Sequence, residues 1–219
     1  MKQLLQYVVF LVLIPACSFS QINWENQWWT SVQVEKKIFK GTKGALSFET
    51  RWDPGNGMAV SYFPELAIQN KWSDFFSSVV HYRFITRNEG LGYRYSSHRL
   101  MLDAIGSKEI RKTDIGLRLR VGREDEPGNT EQLFSVSEIV FRQKISVKHK
   151  FFKQEFSLSF EQFETIRAGS VDFDQRRYVA GTELKIARQH YLSLFIMYQD
   201  LVSTRRVNFG TGYIFKFKN

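Results

Sequence analysis

Near the C-terminus the chain reads Val207-Asn208-Phe209-Gly210-Thr211-Gly212-Tyr213-Ile214-Phe215-Lys216-Phe217. Val207, Phe209, Thr211, Tyr213, Phe215 and Phe217 fall on one side; Asn208, Gly210, Gly212 and Lys216 fall on the other. A period of two is the signature of a β-strand, whose successive side chains point to opposite faces. Alternating aromatics in a terminal strand also resemble the signal read by outer-membrane assembly machinery, with Phe217 two residues short of the end. The glycines lie in the strand, so Gly210-x-Gly212 is not a phosphate loop. They leave space or relieve curvature on the inner face.

The same pattern recurs upstream. Leu46, Phe48, Thr50 and Trp52 oppose Ser47, Glu49 and Arg51; Phe76, Val80, Tyr82 and Phe84 oppose Ser77, His81 and Arg83. Ile115, Leu117, Leu119 and Val121 alternate with Asp114, Gly116, Arg118, Arg120, Gly122 and Glu124. Phe156, Leu158 and Phe160 oppose Lys153, Glu155, Ser157, Ser159 and Glu161. Tyr178, Ala180, Thr182, Leu184 and Ile186 oppose Arg177, Gly181, Glu183 and Lys185. No stretch beyond the N-terminus keeps a helical period. Asp53-Pro54-Gly55-Asn56-Gly57, Asn88-Glu89-Gly90 and Asp125-Glu126-Pro127-Gly128-Asn129 mark turns. Pro64 alone falls within a strand, where it needs an edge, a bulge or a kink.

The N-terminus sets the compartment. Met1-Lys2-Gln3 precedes an apolar run, Leu4 to Ile14, too short to span a bilayer as a helix. Small residues at Ser18 and Ser20 fit signal-peptidase cleavage after Ser20, giving a signal peptide over 1–20 and a barrel domain over 21–219. Ile14-Pro15-Ala16-Cys17 is a loose lipobox, so lipidation of Cys17 is the competing reading. Cys17 is the single cysteine, and cleavage after Ser20 leaves a chain without disulfides, thiol chemistry or a cysteine metal site. The net charge of +9 is spread along the chain. Export removes nucleic acid as a partner and leaves anionic lipopolysaccharide and outer-membrane lipid as its natural counterparts, with the assembly machinery as a further partner.

Alternation alone fits a soluble barrel holding an apolar ligand as well as a membrane barrel. Three features favour an antiparallel up-and-down transmembrane β-barrel. Many segments reach the roughly 9–11 residues that cross a bilayer at a tilt. Aromatics cluster at segment ends, as interfacial girdles do (Trp52; Trp72 with Phe75 and Phe76; Tyr93 with Tyr95; Phe151 with Phe152). The terminal strand is the third feature.

Eleven segments can be counted, at 24–36, 44–52, 58–70, 75–87, 93–105, 110–124, 132–147, 151–164, 173–187, 191–201 and 205–217. Bacterial single-chain barrels have even strand numbers, so the expectation is ten to twelve, with the segment from Trp24 to Lys36 the odd one out. Shorter turns, at Asn70 to Asp74, Gly106 to Glu109, Lys148 to Lys150 and Arg188 to His190, alternate with longer ones and are assigned to the periplasmic side.

Several segments together resemble a family of predicted outer-membrane proteins catalogued as domain of unknown function 2490. They are Trp29 to Lys37, Leu46 to Arg51, the hairpin around Asn70-Lys71-Trp72-Ser73-Asp74, Ser97-His98-Arg99-Leu100, Gly116-Leu117-Arg118-Leu119-Arg120, and Phe173-Asp174-Gln175-Arg176-Arg177-Tyr178-Val179-Ala180-Gly181. Phe173-Asp174-Gln175-Arg176 is the most specific portion. Gly122-Arg123-Glu124 departs from the family, which keeps arginine and glutamate closer behind the Arg-x-Arg pair. The resemblance implies a barrel and an outer-membrane address, and no activity.

The residues expected to line the lumen are Glu49, Arg51, Arg83, Arg99, Asp103, Asp114, Arg118, Arg120, Glu124, Glu155, Glu161, Arg177, Glu183 and Lys185. They support either a charge-lined passage for small solutes or a lumen filled by cross-strand ion pairs. The second is favoured, because a barrel of this size has little free bore and unpaired charges there are costly. His81 and His98 lie on adjacent segments near Ser77, Ser96 and Ser97, the one arrangement from which a lipid hydrolase could be built, but their spacing is not diagnostic. His149 and His190 fall in expected turns. There is no His-x-His, cysteine pair or acidic calcium loop, so neither metal nor cofactor is expected, and the chain reads as a non-enzyme. Short loops argue against a receptor or an adhesin.

Overall fold

The computed structural model describes residues 24–53, 58–89, 93–124, 138–167, 170–202 and 204–217. Residues 1–20, expected to be a signal peptide, the turn clusters at 54–57 and 125–129, and the side chain of Glu124 lie outside the described residues. Eleven strands follow one another: β1 (Trp24–Phe39), β2 (Thr42–Asp53), β3 (Met58–Lys71), β4 (Phe76–Glu89), β5 (Tyr93–Ile110), β6 (Thr113–Glu124), β7 (Glu138–Phe151), β8 (Gln154–Arg167), β9 (Ser170–Lys185), β10 (His190–Leu201) and β11 (Arg205–Lys216). Each pairs antiparallel with the next, and β1 closes the barrel against β11.

The closing pair is parallel, in register from Trp24 opposite Arg205 to Glu35 opposite Lys216. The expected even count is therefore corrected. β1 is a full strand of 16 residues, paired along both edges. An odd number of up-and-down strands leaves the first and last pointing the same way, so only a parallel ladder can close the wall. As a result Trp24 and Lys216 sit at opposite ends of the barrel.

Short connections gather at one end, and two differ from expectation. β5 runs on to Ile110 and turns at Arg111-Lys112; β7 runs on to Phe151 and turns at Phe152-Lys153. Arg111 (φ 59°) and Phe152 (φ 54°) adopt the left-handed conformation that a tight hairpin needs, usually supplied by Gly or Asn. Gly41 (φ 84°) does so between β1 and β2. His149 accordingly lies in β7 and His190 begins β10, where turns were expected. Pro64 pairs with Phe48 of β2, but the β3–β4 ladder passes from Tyr62–Thr86 to Glu65–Arg83 across it. Lacking an N–H, the proline interrupts the ladder on that edge.

The faces are reversed relative to a water-soluble barrel. Leu158 is 64% exposed and Leu46 60%, within an outer belt that includes Val32, Leu66, Leu102, Leu117 and Ile145. The inner row holds Asp103 at 2% exposure and Arg120 and Glu161 at 7%, beside buried Trp29, Phe63 and Phe163.

Candidate functional site in the barrel interior

Register brings charged residues from five strands together on the inner wall. Glu65 of β3, His81 and Arg83 of β4, Asp103 of β5, Arg118 and Arg120 of β6, and Glu161 of β8 form one continuous network. Arg120 grips Asp103 with two parallel bonds, Nε to Oδ1 at 2.5 Å and Nη2 to Oδ2 at 2.7 Å. This forked geometry is the strong form of a guanidinium–carboxylate contact. Arg83 Nε donates to Glu65 Oε2 at 2.5 Å, and Arg118 Nη2 donates to Glu161 Oε1. Arg118 also lies 3.9 Å from Asp103.

His81 sits at the centre. Its Nδ1 lies 3.0 Å from Glu65 Oε1, and its Nε2 lies 3.2 Å from both Asp103 Oδ2 and Arg120 Nη2. With Nδ1 donating to Glu65 and Nε2 accepting from Arg120, a neutral ring satisfies both partners. A general base needs a free ring nitrogen within reach of the nucleophile. Here both nitrogens are engaged, and among the described residues no serine hydroxyl contacts them. Ser77 instead accepts from Gln69 Nε2 at 3.2 Å. His98 points the other way. On the outer wall its Nδ1 meets the Tyr82 hydroxyl at 2.6 Å, and its ring stacks on Tyr82 at 5.9 Å. The two histidines therefore lie on opposite faces of the wall and share no site.

A second arrangement crosses the same level. The Arg51 guanidinium carbon lies 3.7 Å from the centre of the Trp29 ring and 4.1 Å from that of Phe63. Arg177 lies 4.2 Å from the centre of the Phe163 ring and 5.8 Å from that of Trp29, and Arg142 lies 4.5 Å from the centre of Phe163. Guanidinium and aromatic groups thus alternate from β7 through β8, β9, β1 and β2 to β3, and Arg83, 5.6 Å from Phe63, joins this row to the ion network. Cations over aromatic faces are held by the ring quadrupole, an attraction that strengthens as water is removed.

The residues expected at the lumen divide into groups. Arg83, Asp103, Arg118, Arg120 and Glu161 belong to the network. Glu49 receives Arg51 Nε at 2.8 Å, and Arg177 joins the aromatic row. Nearer the short turns, Glu155 takes Lys148 (3.1 Å), Glu183 takes Lys216 (3.2 Å), and Lys185 lies 5.8 Å from the Tyr191 ring. Arg99 faces Arg83 across the β4–β5 pair. Asp114 enters no ion pair among the described residues, and one of its carboxylate oxygens is buried without a hydrogen bond. Glu124 ends β6, and its side chain is not among those described.

Glu65, Arg142, Lys144 and the inward aromatics Trp29, Phe63 and Phe163 were missed. Their signal was available: Arg142 and Lys144 alternate with Ile145 and Val147, and Phe63 and Glu65 flank Pro64 at the same parity.

The class defined by this geometry is a closed, up-and-down β-barrel with an apolar outer belt and a charged interior. The chain belongs to the family described as "Protein of unknown function (DUF2490)", whose family model matches residues 26–210, in agreement with the resemblance read from the sequence. No curated protein matches the chain. A solved structure of a loop L8 deletion mutant of OmpT, an outer membrane protein of Vibrio cholerae, is similar at 14% identity with a TM-score of 0.43, over 80% of this chain and 59% of that one. The chain thus spans less than two thirds of that protein's length.

Proposed function

We propose that the protein is an outer-membrane β-barrel whose lumen is filled at mid-height by its own side chains, a structural barrel and not an open diffusion pore. The observation that carries this reading is the reversed polarity of the wall. Exposed aliphatic residues girdle the outside, while Asp103, Arg120 and Glu161 are buried within. In water such a belt would drive aggregation; in a bilayer it is the lipid-facing surface. The buried charges of the interior speak against a soluble barrel holding an apolar ligand, since the inward rings of Trp29, Phe63 and Phe163 are themselves covered by arginines. The engaged ring of His81 argues against a lipid hydrolase.

Charge is distributed accordingly. Every lysine among the described residues except Lys144, at mid-strand in β7, lies in the half of the barrel nearer the short turns, where Trp72, Phe75 and Phe152 are also exposed. Aromatic and cationic side chains at one rim suit an interface with anionic lipid headgroups. With the short turns in the periplasm, β11 ends on the side from which assembly machinery works, after export by a cleaved signal peptide.

A second reading, passage of small solutes, draws on the side chains of Arg51 and Arg118, which remain 19% and 23% exposed within the wall. Planar-bilayer recording of the purified protein tests the choice. Flat traces are expected of a filled lumen, and steady conductance would overturn it. Membrane insertion is tested by Leu158→Arg. On the lipid face an arginine costs up to about 2–4 kcal/mol at the midplane and less toward the interface. The substitution should lower the temperature at which the folded gel band converts to the unfolded one. A protein washed from membranes by carbonate would sink the membrane reading.

A further inference from the structure

The inner row of β7 reads Lys150, Lys148, Ser146, Lys144 and Arg142 from the short-turn mouth inward. The two lysines at the mouth each have a carboxylate: Lys150 contacts Glu109 at 3.2 Å and Lys148 contacts Glu155 at 3.1 Å. The two deeper cations have none among the described residues: there Arg142 contacts the Phe163 ring, and Lys144 enters no ion pair or hydrogen bond. Their cross-strand neighbours on β6 are also cations, Arg120 opposite Arg142 and Arg118 opposite Lys144. The carboxylates nearby are already engaged, Asp103 by Arg120 and Glu161 by Arg118. Four cations thus share two carboxylates, and Arg99 and Arg177 add further positive charge around Arg142. Uncompensated cations inside a barrel wall are costly, and the row of lysines leads a negative charge toward them from the mouth.

We propose that Arg142 and Lys144 seat an oxyanion, a phosphate, sulfate or carboxylate group, in the lumen. Side chains two apart on one strand face the same way about 7 Å from each other at their bases. They can converge on the oxygens of one such group, the guanidinium as a planar fork and the ammonium as a point charge. Phe163 holds the guanidinium plane in place behind it. The inference rests on the reading of this face as the lumen, but it does not require the lumen to be closed.

Isothermal titration of the full chain in detergent micelles with inorganic phosphate is the test. A saturable site is expected, weakened at least about tenfold in Arg142→Gln and in Lys144→Gln, whereas Lys150→Gln, at the mouth, should bind nearly as the parent does. Each variant is first checked for the folded, heat-modifiable gel band. Lys144→Glu supplies the missing carboxylate from the chain itself; it should abolish phosphate binding while keeping or raising the conversion temperature. No saturable binding by the parent, or equal binding by the Arg142 and Lys144 variants, would overturn the proposal. Glycerol 3-phosphate forms a second arm: tighter binding than phosphate assigns the seat to the anionic end of a small solute, and equal binding assigns it to the free ion. Conductance through the parent would break the filled-lumen reading alone, and the seat would then be read as anion selectivity that the two variants lose.

Discussion

The two halves of the inner wall are filled by different physics. From β3 to β8 the wall carries long charged side chains, Glu65, His81, Arg83, Asp103, Arg120 and Glu161 among them, joined by directed bonds. From β10 through β11 to β1 the mid-height positions are neutral, with glycine and serine packed beside Phe195 and Trp29. A Cβ placed on Gly210 would fall 2.0 Å from the Phe195 ring, and one on Gly212 would fall 2.4 Å from Ser193 Oγ. Phe195 lies over the bare backbone of Gly210 and meets Trp29 edge-on at 6.2 Å. The same strand period produces both halves. One is specified by pairing of charge and the other by fit of shape, so they should fail in different ways.

The charged half should be the more fragile to single truncation. Asp103→Ala leaves Arg120 without its carboxylate in a buried position, a loss of about 3–5 kcal/mol. The midpoint of urea- or heat-driven conversion of the folded gel band reads this directly. Adding Arg120→Met should return part of the loss, because the stranded cation is then gone. An additive pair would show that Asp103 and Arg120 do not act as a unit.

In the small-residue half the sensitive direction is enlargement. Gly210→Val forces the Phe195 ring aside, at about 1–3 kcal/mol. Phe195→Ala in the same chain should relieve the clash, so that the double variant is more stable than Gly210→Val alone. If it is not, the glycine is needed for its backbone and not for the room it leaves.

Much of this contrast was legible in the sequence. Alternation in the segment from Arg205 to Phe217 and in its upstream counterparts fixes which residues share a face, and it puts Gly210 and Gly212 inward. It does not give partners. Arg118 meets Glu161 across the whole of β7, 43 residues away, and only the register between strands decides that. The hairpins at Arg111 and Phe152 were hidden because a left-handed residue that is neither Gly nor Asn leaves no compositional mark. Trp29, Phe63 and Phe163 were hidden for another reason. Aromatics lie on both faces here, so residue type alone cannot separate a lipid-facing ring from one that holds an arginine. The odd strand count was legible as eleven segments, but an expectation of even barrels set it aside.

The neutral half contains one polar device of its own. Asn208 Nδ2 donates to Gln199 Oε1 at 2.5 Å, and Gln199 Nε2 donates to Gln175 Oε1 at 3.1 Å, forming an amide ladder from β11 across β10 to β9. Asn208→Ala removes one donor to a buried amide, a loss of about 1–3 kcal/mol and smaller than that at Asp103 because no charge is stranded. Outside both halves, Lys71 Nζ donates to Asp74 Oδ1 at 2.7 Å in the turn after β3, and this bond, with the ammonium's charge, holds the Asp74 carboxyl below its usual pKa. A lowered folded pKa contributes stability above the unfolded value that disappears as pH falls through the folded one. Asp74 is fully exposed, however, and exposed pairs of this kind contribute little. Asp74→Asn should therefore leave the conversion midpoint where it is at neutral pH and in acid alike. A clear drop at neutral pH that vanishes on acidification would mean that the rim, and not only the two filled halves of the lumen, helps to hold the barrel closed.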